Sequence, residues 1–480
     1  MDTQLFLACF FAYVIGTIIF GWWMTRKKQT GEDFLLAGRS LPLFLTLGTT
    51  LATMVGTGSS MGAVGTAYNS GFAGSLFGIG GAIGILLLAW LFAPVRNQKF
   101  MTMAEELSSY VGANRIVMNM VAVLTYLGCI GWLGAHILGG ANYLQNTTGV
   151  DPVFAKVSIA LGFGIYSMIG GYRAVVWTDS LQAIVLFAGF IATAFFAMQV
   201  LQGWDGLLQT NAKIAEVHPT NPIHNLSLVF AICIGVLGNP TFRQRIYSGN
   251  SVPDIRKAYV ISGILYLGFA IIPSIIGMAA WVEFNGAEMA KDQAFPNMAK
   301  TVLPGTLAII VLLAGLSATL SSASSDAISG VAILVRDIFK LIFKHTPSPD
   351  RVVADSRWSL VLTTGIALIF ALKGKDIMGY IESMIAFLLA GMGVAGILGK
   401  VWPRYNAPGA ICTMVAGSCT ALYITKSEAC TAFWGKPVIP TIIVAALAGI
   451  IVTLLTKPEK ISQEEAADIL AKERDEMEGA

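Results

Sequence analysis

Ala52-Thr53-Met54-Val55-Gly56-Thr57-Gly58-Ser59-Ser60-Met61-Gly62 sits inside an apolar run, residues 43–68, long enough to cross a bilayer. Glycine weakens a helix, and here three glycines and two serines meet at membrane depth. An unwound stretch frees backbone N–H and C=O groups. Lipid cannot satisfy them, so they face protein, water or a bound solute. A second apolar run, 225–242, ends in Gly235-Val236-Leu237-Gly238-Asn239-Pro240-Thr241, with breakers at a comparable depth. Interrupted segments at matching positions of two halves mark the binding site of many transporters. Glycine used for close helix packing is the plainer reading, but the paired placement favours a site.

Around these two segments the same apolar pattern recurs. Thirteen runs have the length and composition of spans: 4–24, 43–68, 72–94, 115–144, 153–171, 177–201, 225–242, 258–282, 303–335, 358–372, 378–399, 408–425 and 438–456. The chain is therefore an all-α polytopic membrane protein. The second and seventh runs start five spans apart, so they point in opposite directions, and spans 2–6 and 7–11 are candidate inverted repeats. The division expected is 1–42 for a first span and loop, 43–201 for one repeat, 202–224 for an external loop and 225–400 for the second repeat. Residues 401–456 hold two further spans, and 457–480 form a charged tail, solvated helix or disorder, to which no function is assigned.

Composition agrees. Of 480 residues 55% are hydrophobic and 12% charged, against about 25% charged in soluble domains. A net charge of +3 gives no argument for nucleic acid. Arg26-Lys27-Lys28 follows the first apolar run instead of preceding it, which makes that run a retained span and not a signal peptide. With the N-terminus outside, roughly three of every four Lys and Arg fall on the cytoplasmic side. The expected location is the plasma (inner) membrane, multi-pass, with the C-terminus cytoplasmic. The six cysteines fit neither a zinc site nor a disulfide framework. There is no nucleophile–base arrangement, metal-ligand spacing or phosphate loop, so no enzyme is expected.

The run 303–335 carries Ala318-Thr319-Leu320-Ser321-Ser322-Ala323-Ser324-Ser325-Asp326. Ser321, Ser324 and Ser325 share one helix face at i, i+3 and i+4, with Ser322 about 100° round. Hydroxyls, freed carbonyls and one carboxylate suit a hard monovalent cation. Serines bonded back to their own helix are the alternative, which explains one serine better than four in five positions. Acids inside spans are costly and usually functional. Asp179 either completes a cation shell or pairs with Arg173, Arg243 or Arg245, and the residues alone leave these readings level.

These residues resemble the sodium:solute symporter family. The resemblance rests on Gly38-Arg39-Ser40, on Met61-Gly62 to Ser70-Gly71, and on Gly170-Gly171-Tyr172-Arg173-Ala174-Val175-Val176-Trp177-Thr178-Asp179. Arg243-Gln244-Arg245 and the serine run ending at Arg336-Asp337-Ile338 extend it. It implies the leucine-transporter architecture, a 5+5 inverted repeat with one extra N-terminal and two extra C-terminal helices. It also implies a first sodium site from carbonyls of Ala52, Val55 and Ala318 with hydroxyls of Ser321 and Ser322. A second would use Asp179, Ser321, Ser324 and Ser325. Sialic acid carriers hold an arginine on their third core helix; Trp132 and His136 occupy this region here, which argues against that substrate. Thr57, Ser59, Ser60, Trp132, His136 and Asn239 are the expected substrate contacts, where half-helix ends can meet a carboxylate.

The expected activity is symport of Na+ with a small organic solute, such as an amino acid, carboxylate or vitamin, by alternating access. The partners are substrate, sodium and lipid; no oligomer is required. Proton coupling through Asp179 or Asp326, and a solute sensor on the same fold, are the alternatives. Uptake against pH at fixed sodium separates the first. A sensor usually needs an appended soluble domain, and the tail is too short for one.

Overall fold

Asparagine, aspartate and proline set where several helices begin. Asp151-Pro152, Asn221-Pro222 and Asn239-Pro240 each open a helix, the acidic or amide side chain accepting from a backbone N–H of the first turn. Proline at the next position loses no hydrogen bond and has its φ already suited to a helix. The computed structural model of this chain describes residues 3–24, 29–219, 221–344, 347–348, 350–374 and 377–479. The Arg26-Lys27-Lys28 cluster, used above for topology, lies outside the described residues.

The helices that position the site are α1 (Thr3–Met24), α2 (Leu43–Met54), α3 (Arg115–Thr148), α4 (Pro152–Val200), α5 (Pro222–Gly238), α6 (Pro240–Ser248), α7 (Gly305–Ile333) and α8 (Gln463–Gly479). Among the described residues the chain is helical, with one isolated bridge between Leu41 and Gly249. Ten helices among the described residues are long and apolar enough to cross a membrane, or eleven if the bent pair Trp204–Val217 and Pro222–Gly238, at 111°, counts as one. Residues 202–224, expected as a loop, contain the helix Trp204–Val217. The run 358–372, short in sequence, belongs to a helix of 22 residues, Val352–Lys373.

Both expected interruptions exist. α2 stops at Met54, where Val55 leaves helical geometry at φ −96°, ψ 49°. The chain resumes through a wider π-type turn, Gly58–Gly62. α5 stops at Gly238, Asn239 is extended at φ −81°, ψ 120°, and α6 starts at Pro240. Proline cannot donate to the preceding turn, which fixes the second break where it is.

α4 spans 49 residues, about 70 Å at 1.5 Å per residue, more than twice a hydrocarbon core. It turns at Gly171, whose φ of 59° and ψ of −165° only glycine adopts comfortably. A Cβ there would sit 3.0 Å from Phe34 O and 2.8 Å from its ring.

α7 packs against both α3 and α4, and α2 packs against α4 and α7. Every residue from Leu316 to Ile333 is buried. The perimeter is apolar instead: Phe11, Ile15, Ile19, Trp22 and Trp23 on α1 are exposed, as a lipid-facing helix requires. α8 is not solvated all round. Ala466 and Leu470 are buried, Glu473 pairs with Arg115 at 2.7 Å and Lys340 at 3.3 Å, and Arg474 pairs with Glu105 at 3.2 Å.

Candidate ion and substrate site

Consecutive residues of a helix point about 100° apart, and α7 uses this to serve two places at once. Its Ser321 and Ser325 face Asp179 of α4. Ser321 Oγ donates to Asp179 Oδ1 at 2.5 Å, and Ser325 Oγ to Oδ2 at 3.0 Å. Thr49 Oγ1 of α2 adds a third donor to Oδ2 at 2.6 Å. Asp179 is wholly buried, so these donors and a nearby positive charge are what make an acid tolerable there. Of the three arginines considered as partners, Arg245 of α6 is the one that approaches, with Nη2 3.6 Å from Oδ2.

Ser324 does not turn to Asp179. Its Oγ accepts from Tyr166 Oη at 2.6 Å and donates to Ser321 O at 2.8 Å. Three of the four expected second-site groups therefore converge directly, and Ser324 lies one hydrogen bond away.

Ser322 points toward the break in α2, donating over a long 3.5 Å to Ala52 O. That approach depends on Gly56, where a Cβ would meet Ser322 Oγ at 2.6 Å and His136 Cε1 at 3.2 Å. Ala52, Val55, Ala318, Ser321 and Ser322 are all buried, and Ser321 spends its proton on Asp179.

Asp326, one position past Ser325, faces the other way. It lines a cavity of about 50 Å³ with Ser59, Trp132, His136 and Asn239, walled by Phe77 and Phe242. His136 Nε2 lies 3.2 Å from Asp326 Oδ2, Thr241 Oγ1 donates to Oδ1 at 2.5 Å, and Thr57 Oγ1 holds His136 Nδ1 at 2.9 Å. Trp132 stacks on His136 with centroids 6.1 Å apart, and its buried Nε1 has no hydrogen-bond partner among the described residues. Asn239 Oδ1 caps α6 through Thr241 N. Ser59 Oγ returns to Met54 O at 2.8 Å, satisfying one carbonyl freed at the break. Ser60 leans over 3.5 Å to Thr57 O. So four of the six expected substrate contacts line the cavity, Thr57 sits behind His136, and Ser60 is turned to its own backbone.

The sequence reading left Thr49, Tyr166 and Thr241 unassigned and gave Asp326 only a proton-coupling role. Thr49 carried a usable signal: Thr46, Thr49, Thr50 and Thr53 recur at helical spacing along one face of α2.

A family model described as "Sodium:solute symporter family" matches residues 34–417. The sodium/proline symporter of Haemophilus influenzae is 26% identical over 95% of this chain and 95% of its own length. The sodium/pantothenate symporter of the same organism is 25% identical over 88% and 90%. A solved sodium-coupled sialic acid symporter, substrate-bound and outward-open, aligns with a TM-score of 0.79 at 20% identity, covering 95% of this chain and 98% of that one. This last likeness shows the fold, a leucine-transporter-like bundle. Family and structural neighbours are transporters and not enzymes. The chain belongs to the sodium:solute symporter family, a multi-pass membrane carrier with Na+ as its coupling ion.

Proposed function

We propose that this protein imports a small organic solute, of the amino acid, carboxylate or vitamin class, with two sodium ions per cycle by alternating access. The observation that carries the reading is the convergence of Asp179, Ser321 and Ser325 in one buried oxygen cluster on α4 and α7. Ser322 adds its hydroxyl beside Ala52 O, at the interruption of α2. The first ion uses carbonyls of Ala52, Val55 and Ala318 with Ser321 and Ser322. The second uses Asp179, Ser321, Ser324 and Ser325, with Ser324 turning from Tyr166. Substrate binds in the cavity between the two breaks, touching Trp132, His136, Ser59 and Asn239, with Thr57 and Ser60 behind them.

The architecture that goes with this reading has thirteen spans. Gly171 divides α4 into two of them, and the two halves of the interrupted span 43–68 count as one. Residues 43–201 and 225–400 form the inverted repeats. The N-terminus is outside and the C-terminus cytoplasmic, following the Lys and Arg bias. Ions that bind one state better than the other supply the coupling. Each sodium entering down a potential of about 100 mV, inside negative, contributes about 2.3 kcal/mol.

A metabolite screen by thermal shift, with and without sodium, identifies the solute. Its flux and that of radioactive sodium are then measured in the same proteoliposomes. Two sodium ions per solute supports the reading; one sinks the two-ion form of it.

A further inference from the structure

Arg245 carries a full positive charge into the ion cluster, and its contacts are those a cation would make. Nη2 donates to Thr49 Oγ1 at 2.9 Å, to Ser325 Oγ at 3.0 Å and to Thr53 Oγ1, and lies 3.6 Å from Asp179 Oδ2. The side chain is completely buried. Two of the groups it engages, Asp179 and Ser325, belong to the second sodium site proposed above. One buried carboxylate is well compensated by one positive charge; a second cation within a few ångströms repels the first in a medium of low dielectric. Guanidinium and sodium are therefore alternatives at this place, not companions. Both terminal nitrogens of the guanidinium are engaged, whereas its buried Nε has no hydrogen-bond partner among the described residues.

We propose that Arg245 is a tethered cation that competes with the second sodium ion for Asp179, and that its displacement is how that ion acts on the substrate cavity. This rests on the two-sodium reading. The route outward is short. Arg245 Nη1 donates to Thr241 O at 2.8 Å. Thr241 stands in the first turn after the break at Asn239, and its hydroxyl binds Asp326, the acid facing His136 in the cavity. Sodium at Asp179 releases Arg245 from Thr49 and Ser325, and the first turn of α6 is then free to shift against Asp326. A permanent ion pair that merely fixes α6 is the competing reading, and it differs in sign. Removing a competitor tightens sodium binding, because Asp179 loses its compensation only in the ion-free state. Removing a structural strut does not.

Purified full-length protein is titrated with sodium at constant ionic strength, potassium replacing it, and the melting temperature is followed. For R245Q, the melting temperature without sodium falls, the sodium-induced rise grows, and half-saturation moves to roughly tenfold lower sodium, a typical coupling between two ligands of one site. R245K, with a shorter reach and a single charged nitrogen, shifts in the same direction by less and keeps the fold if R245Q does not. In D179N/R245Q the added response disappears. R245Q or R245K with unchanged or weaker sodium affinity overturns the proposal in favour of a structural pair. A wild-type protein that ignores sodium overturns the transport reading itself, and the competitor with it.

Discussion

His136 Nε2 lies 3.2 Å from Asp326 Oδ2, joining α3 to α7 beside the cavity. Both side chains are buried, and Asp326 also accepts from the Thr241 hydroxyl. The pair thus ties the helix opposite the break to the helix that carries the proposed ion ligands.

Replacing His136 by alanine strips Asp326 of one of these two partners. An uncompensated buried acid costs about 3–5 kcal/mol where the lost partner was charged, and less where it was a neutral donor. The expected outcome is a lower melting temperature and a raised KM for solute. Glutamine, which keeps a donor, recovers part of both. Uptake kinetics and thermal unfolding in detergent check this; an H136A protein with wild-type KM removes His136 from the substrate site.

Ser322→Ala deletes one oxygen facing Ala52 O. A ligand worth about 1.4 kcal/mol changes affinity roughly tenfold. The sodium concentration for half-maximal uptake is expected to rise by about that factor, with the maximal rate less affected. The sodium dependence of initial uptake rates measures it, and an unshifted curve excludes Ser322 from the first ion site.

Gly56→Ala places a methyl group 2.6 Å from Ser322 Oγ. Either the Ser322 hydroxyl turns away from Ala52 O, or the backbone and α7 separate. Overpacking of this kind typically costs about 1–3 kcal/mol, and here it falls on the crossing of α2 and α7. Transport is expected to drop while the protein still reaches the membrane, as read by surface abundance beside uptake. Normal transport means that the two helices part more easily than their contacts suggest.

Thr49→Val keeps the shape and removes the hydroxyl that donates to Asp179 and accepts from Arg245. Leaving buried polar groups short of a partner costs about 1–3 kcal/mol each. The variant is expected to melt earlier in sodium-free buffer, and sodium to restore part of the difference. Equal loss with and without sodium assigns Thr49 to packing alone.

Sequence revealed those parts of this site that depend on local chemistry. Gly56 and the Gly238-Asn239-Pro240 run announced both breaks, because glycine and proline act on their own backbone. Ser321 and Ser325 declared a common face, because helical spacing is a local rule. What stayed hidden was tertiary. Arg173, Arg243 and Arg245 are equivalent on paper, and only the path of α6 decides that Arg245 meets Asp179. Ser324 has the spacing of a ligand, yet Tyr166, more than 150 positions earlier, holds it in this conformation. The tail read as solvated because its composition is polar, whereas Ala466 and Leu470 give α8 a buried edge against the rest of the chain.

Asp179 lies eight positions after Gly171 along α4, a little over two turns. The bearing of the carboxylate is thus decided at a corner where the chain has no side chain at all and Phe34 fills the space a methyl would need. A larger residue at 171 would swing the following helix and carry Asp179 off its three hydroxyl donors, although it touches none of them. The proposed ion site is in that sense aimed from a distance, and position 171 should tolerate no replacement even where every proposed ligand is kept.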